Sequence, residues 1–160
     1  MKNTIKNPMI LSLIFLWLGV FLTVSFIETP LKFQVEGMTL PVALGLGKIM
    51  FSISTNIQLV IAAIILIFVF ISNKKINLFE LVLLNFSLLL LLAQKFWMLP
   101  ILDYRADLLA IGKPVPPSEL HNIFIGSEII KLLLLFALVI FQFKFIRLYQ
   151  PISKFKTITK

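Results

Sequence analysis

The stretch PMILSLIFLWLGVFLTVSFI, from Pro8 to Ile27, carries no charged side chain. A helix of about 20 apolar residues is long enough to cross the ~30 Å hydrocarbon core of a bilayer. The stretch follows a short basic leader with Lys2 and Lys6, which is also typical of a secretory signal. However, it is longer than a typical signal segment, and no small-x-small cleavage site follows it. We therefore predict a retained membrane span over residues 8–28.

The rest of the chain shares this apolar character. Its 160 residues are 59% hydrophobic and its mean hydropathy is +1.03, whereas a soluble domain is roughly 45–50% apolar. The net charge of +8 comes from basic residues that flank the apolar runs, where they set orientation and meet anionic lipid. We therefore predict a single integral membrane domain whose partner is the lipid bilayer and not a nucleic acid. The absence of cysteine excludes disulfides, thiolate metal sites and cysteine nucleophiles.

A second apolar region runs from Val42 to Ile71, too long for one upright span. Its composition is mixed before Asn56 and uninterrupted after it. We predict an amphipathic interfacial helix over residues 40–54, followed by a span over residues 55–72. One long tilted helix is the alternative.

Prolines mark the remaining boundaries, because proline cannot continue the helical hydrogen-bond ladder. Pro30 should close the first span, and Pro100 should end a third span over residues 78–99. A new helix begins at the end of the segment KPVPPSEL, with Ser118 as its candidate N-cap. It forms the fourth span, which extends to residue 148. The fold class expected is all-α, a membrane four-helix bundle with an additional interfacial helix between the first and second spans.

Four spans place both termini on one side of the membrane. The basic residues predicted on that side are Lys2, Lys6, Lys74, Lys75, Lys144, Arg147, Lys154, Lys156 and Lys160. The opposite side mixes the basic residues Lys32, Lys48, Lys95, Arg105 and Lys113 with the acidic residues Glu28, Glu36, Asp103, Asp107 and Glu119. The positive-inside rule then predicts a multi-pass protein of the bacterial inner membrane with both termini in the cytoplasm.

The polar residues on the outer side of this topology are the candidate site. His121 and Glu128 are two helical turns apart, and Lys131 is an i, i+3 partner for Glu128 inside the outer leaflet. A mutual ion pair that orients the helix and a site for an ion, proton or small ligand are equally good interpretations. The candidate ligand-binding cluster comprises Glu28, Lys48, Lys95, Arg105, His121, Glu128 and Lys131.

The third span carries a polar stripe in which Glu80, Ser87 and Gln94 recur every seven residues. Interhelical hydrogen bonds explain such a stripe without a transport pathway. Glu80 lies near the cytoplasmic end, where we expect a surface pair with Lys74 or Lys75.

Two segments carry a resemblance to known families. The motifs ETPLKF, at residues 28–33, and GMTLPVALGLGKIMF, at residues 37–51, resemble a family of small uncharacterised bacterial four-span membrane proteins. A more distant similarity links the chain to the transmembrane-protein-205-like and copper-resistance-D-like four-helix membrane proteins. It consists of the four-helix layout and of a His followed by a Glu on the last helix. The resemblance implies the fold and the membrane location but no reaction. The histidines that bind metal or haem in better-known relatives have no counterpart on this first helix.

Three functions compete at this point. The first is binding of a small polar ligand, ion or lipid head group at an outward-facing cluster between the helices. The second is an accessory or assembly subunit of a larger membrane complex, as a homo-oligomer or with a membrane-protein partner. The third is a membrane redox or haem-associated enzyme, but one histidine and no cysteine argue against a zinc site and against bis-histidine haem within one chain. The sequence identifies no catalytic residue, metal ligand set or cofactor, and enzymatic activity is the less favoured expectation.

Overall fold

The computed structural model describes residues 3–71 and 77–145. Four helices in these ranges are long and apolar enough to cross a membrane, which confirms the all-α four-helix arrangement. They are α1 (Pro8–Lys32), α2 (Leu40–Ile71), α3 (Leu78–Ala110) and α4 (Leu120–Gln142). Two three-residue strands, β1 (Asn3–Ile5) and β2 (Phe143–Phe145), pair in antiparallel orientation.

The helices alternate in direction, and each one packs against its neighbours along the chain, with α1 also packing against α4. We call the end that carries β1 and β2 the terminal end, and the end that carries residues 33–39 and 111–119 the loop end. A large apolar cluster, with Trp17, Ile65 and Leu135 fully buried, fills the bundle toward the terminal end. A smaller cluster around Met98 and Phe124 lies toward the loop end.

The prediction that prolines end the first and third spans is wrong. Helix α1 continues past Pro30 to Lys32, and α3 continues past Pro100 to Ala110. A π-helical turn precedes each proline, at Thr23–Glu28 in α1 and Gln94–Met98 in α3. In both, the residue before the proline donates its backbone N–H to the carbonyl five residues earlier. The wider turn moves away the carbonyl with which the proline ring would clash, so the helix continues past the proline.

The prediction of a separate interfacial helix over residues 40–54 is also wrong, because α2 is one continuous helix of 32 residues. Pro41 lies in its first turn, where a missing N–H costs nothing. Polar residues on either side of Asn56 are explained by contacts inside the bundle. Gln58 donates from Nε2 to Ser54 Oγ at 3.0 Å and accepts from Trp17 Nε1 at 2.9 Å, so these polar groups face the bundle interior.

Helix α4 ends at Gln142 and not at residue 148, because Phe143–Phe145 is extended and pairs with β1. The backbone N–H of Lys6 donates to the Gln142 carbonyl at 2.8 Å, which satisfies one of the last helical carbonyls. Residues 146–148 of the predicted span lie outside the described residues. The pairing places the two described chain ends side by side.

Candidate functional site

A group of buried polar side chains lies between the two apolar clusters. We call it the Glu128 network, and it comprises Ser25, Gln94, Ser127, Glu128 and Lys131. Ser25 and Gln94 both belong to the π-helical turns, so the irregular parts of α1 and α3 supply the partners of α4. The π-helical turns before Pro30 and Pro100 therefore supply the side chains of α1 and α3 that contact α4 in this network.

Each charge in the Glu128 network has close partners. Glu128 Oε1 lies 2.7 Å from Lys131 Nζ and accepts from Gln94 Nε2 at 2.7 Å, while Oε2 accepts from the Ser25 hydroxyl. Lys131 Nζ also donates to Gln94 Oε1 at 2.6 Å and lies 4.6 Å from the centroid of the Phe21 ring. This ring face attracts a cation. A buried pair with these extra hydrogen bonds offsets its own desolvation and leaves little capacity for a ligand.

A second buried ion pair lies nearer the loop end, on the last turns of α1. Lys32 Nζ is 3.6 Å from Glu28 Oε1, and we call these two residues the Lys32 pair. The Lys32 ammonium also lies 5.7 Å and 5.9 Å from the ring centroids of Phe33 and Phe51. Lys32 is only 7% exposed, whereas the sequence places it among the basic residues of the outer side without assigning it to the candidate cluster.

The Lys32 pair differs from the Glu128 network in what it leaves unbonded. Glu28 Oε1 is buried and has no hydrogen-bond partner among the described residues. Its separation of 3.6 Å from Lys32 Nζ is an ion-pair contact, longer than a protein hydrogen bond. Buried polar groups are normally hydrogen-bonded, so Glu28 Oε1 retains the capacity to accept a hydrogen bond.

Gly47 of α2 provides the space for the Lys32 ammonium. A Cβ atom at position 47 would lie 2.9 Å from Lys32 Nζ, closer than real contacts allow. The neighbouring Gly45 has open space at the same position, so of these two glycines only Gly47 is closely approached by another side chain.

The other predicted site residues lie outside these two clusters. Lys48 forms an ion pair with Asp107 at 2.5 Å on the exposed part of the loop end, and Arg105 donates to the carbonyl of Pro116 at 2.5 Å. Lys95 is partly exposed, and His121 is exposed. The structure therefore brings together Glu128 with Lys131, and Glu28 with Lys32, but it does not bring the seven predicted residues into one cavity.

Glu80 is buried, so the prediction of a surface pair is wrong. Its carboxylate is 2% exposed, forms an ion pair with Lys6 and accepts from Gln142 Nε2 at 3.1 Å. Lys74 and Lys75, the partners expected from the sequence, lie outside the described residues. This contact ties the segment before α1 to α3 and α4 at the terminal end.

Sequence reasoning missed Lys32, Glu80 and Gln58 as buried groups. The signal for Lys32 was present, since Glu28 and Lys32 are spaced as an i, i+4 helical pair, but the helix was expected to stop at Pro30. Within residues 3–71 and 77–145, no three side chains of His, Cys, Asp or Glu lie close enough together to hold a metal. Comparison with protein-family models, with curated proteins and with solved structures gives no match to this chain.

Proposed function

We propose that this protein binds a small zwitterionic molecule or lipid head group at the Lys32 pair. The observation that carries the proposal is the unbonded carboxylate oxygen of Glu28 beside a buried lysine ammonium. In the Glu128 network, no buried side-chain oxygen or nitrogen of the described residues lacks a hydrogen-bond partner, which favours the interpretation of Glu128 and Lys131 as a mutual pair that holds the bundle together.

The chemistry of the pair selects the ligand class. An ammonium group on the ligand would donate to Glu28 Oε1, and an adjacent phosphate or carboxylate would accept from Lys32 Nζ. Such a ligand completes both groups without adding net charge to a buried site, where an unpaired charge is costly. The Glu28 side chain is 17% exposed and the Lys32 side chain 6% exposed, and Glu28 Oε1 itself is buried, so binding requires these side chains to shift toward the surface.

The membrane orientation bears on where such a ligand would come from. We propose that the chain lies in a bacterial inner membrane with the terminal end in the cytoplasm, because basic residues dominate that end. The Lys32 pair would then lie in the outer leaflet and face the periplasm.

The experiment measures thermal unfolding of the purified protein in detergent with and without glycerophosphoethanolamine, a soluble zwitterion. We expect the probe to raise the unfolding temperature of the wild-type chain, since a ligand of the native state stabilises it. The increase should disappear in Lys32→Met and in Glu28→Gln. Lys48→Met, which breaks an exposed ion pair, is the matched control and should keep the response. No response in the wild-type chain, or an equal response in Lys32→Met, would refute the proposal.

A further inference from the structure

An open groove of about 490 Å³ runs along the outer face of α1 and α2. It is lined largely by apolar side chains, among them Phe15, Val20, Met50, Ile53 and Ile57. Gly19 forms part of its wall and leaves open space where a side chain would project. The groove therefore fits a flexible apolar chain.

The position where Lys32 approaches α2 and the α2 wall of the groove lie along one face of that helix. Gly47, which contacts Lys32, is followed by the groove residues Met50, Ser54 and Ile57 at intervals of three, four and three residues. This spacing places them on one helix face. Ten residues of α-helix span ~15 Å, so the charged site and the apolar groove follow each other along the α2 axis over that length.

We infer that the ligand is a phospholipid with a primary ammonium in its head group, bound with one acyl chain in the groove. The phosphate accepts from Lys32 Nζ, the ammonium donates to Glu28 Oε1, and the acyl chain lies along Met50 and Ile57 toward Phe15. The charge pattern of the pair, one cation and one acceptor, favours this zwitterion over an anionic lipid. The inference rests on the function proposed above and adds the ligand class and the second half of its site.

The test uses protein purified into detergent and incubated with equal amounts of three lipids that share the same acyl chains. Phosphatidylethanolamine carries N–H donors, phosphatidylcholine carries none, and phosphatidylglycerol carries a net negative charge. Native mass spectrometry then measures which lipid stays bound to the chain. We expect about tenfold preference for phosphatidylethanolamine over phosphatidylcholine, the effect of one lost charge-assisted hydrogen bond.

Variants that fill the groove separate this inference from the proposed function. Gly19→Leu should abolish lipid retention while glycerophosphoethanolamine still raises the unfolding temperature, because the Lys32 pair is unchanged. Gly126→Leu on α4 also enters open space but lies outside the groove, and it should keep both responses. If Gly19→Leu does not fold, Ile53→Trp fills the groove from an exposed position, with Val60→Trp as its control.

The outcomes are distinct. Equal retention of the three lipids, preference for phosphatidylglycerol, or retention that survives both groove variants would overturn the inference and leave the soluble-probe result to decide the proposed function. If glycerophosphoethanolamine does not raise the unfolding temperature of the wild-type chain, both the lipid inference and the proposed function are overturned.

Discussion

Removing both charges from the Glu128 network should destabilise the bundle by much less than the sum of the two single removals. Lys131→Met keeps the length and apolar stem of the side chain but removes contacts of 2.7 Å to Glu128 and 2.6 Å to Gln94. It also removes the cation from the Phe21 ring. The Glu128 carboxylate then keeps only Ser25 and Gln94 as donors, without a compensating positive charge in an apolar interior.

The magnitude follows from burial of the pair. Breaking a buried ion pair by removing one partner costs about 3–5 kcal/mol, because it leaves the other charge uncompensated. We expect ~3 kcal/mol for Lys131→Met and a similar cost for Glu128→Gln. The double variant restores neutrality with side chains of similar volume, so its cost should fall below the sum of the two. The coupling energy should reach about 2–3 kcal/mol, the upper range for contacting residues.

The assay is equilibrium unfolding in mixed detergent micelles, followed by far-ultraviolet circular dichroism, on the two single variants and the double variant. Lys48→Met is the control, because it breaks an exposed pair with Asp107 and should cost only ~0–1 kcal/mol. Additive costs in the double variant, or a cost for Lys131→Met no larger than that of the control, would show that the network does not couple these charges.

Three further outcomes are expected. Gly47→Ala should displace the flexible Lys32 ammonium and raise its reactivity toward an amine-modifying reagent, measured by mass spectrometry. Gly45→Ala is the control and should leave that reactivity unchanged. Unchanged reactivity of Lys32 in Gly47→Ala would contradict the packing argument. Glu80→Gln should accelerate amide exchange in β2 about tenfold, because a buried charge-assisted contact to the chain start is lost; equal exchange in both proteins would count against that role. In a chain without cysteine, Lys113→Cys should react with a membrane-impermeant maleimide on intact cells, and labelling only after lysis would reverse the proposed orientation.

The fold class and part of the interior follow from the sequence. The apolar runs predict the four helices, and the seven-residue stripe of Glu80, Ser87 and Gln94 is indeed buried along α3. The i, i+3 spacing also predicts the contact between Glu128 and Lys131. These features depend on local periodicity, which the sequence displays directly.

The rest depends on contacts between distant segments. Proline is a reliable local signal for a helix end, but a π-helical turn before Pro30 lets α1 continue and carries Lys32 onto Gly47. The burial of Glu80 depends on Lys6, which is distant in sequence and reaches it only after α1 and α3 have packed. The residue pattern within one segment does not indicate a partner that lies in a distant segment.

The π-helical turns also change which residues of a helix face the bundle interior. Along α3, the buried stripe would next include Ile101, seven residues after Gln94, yet Ile101 is 41% exposed. The turn at Gln94–Met98 thus accommodates the equivalent of one extra residue, which would otherwise rotate the following segment by ~100°. We expect deletion of one residue within such a turn to restore a regular helix and preserve the directions of both flanking segments. The same deletion elsewhere in α3 would turn one end of the helix away from the bundle.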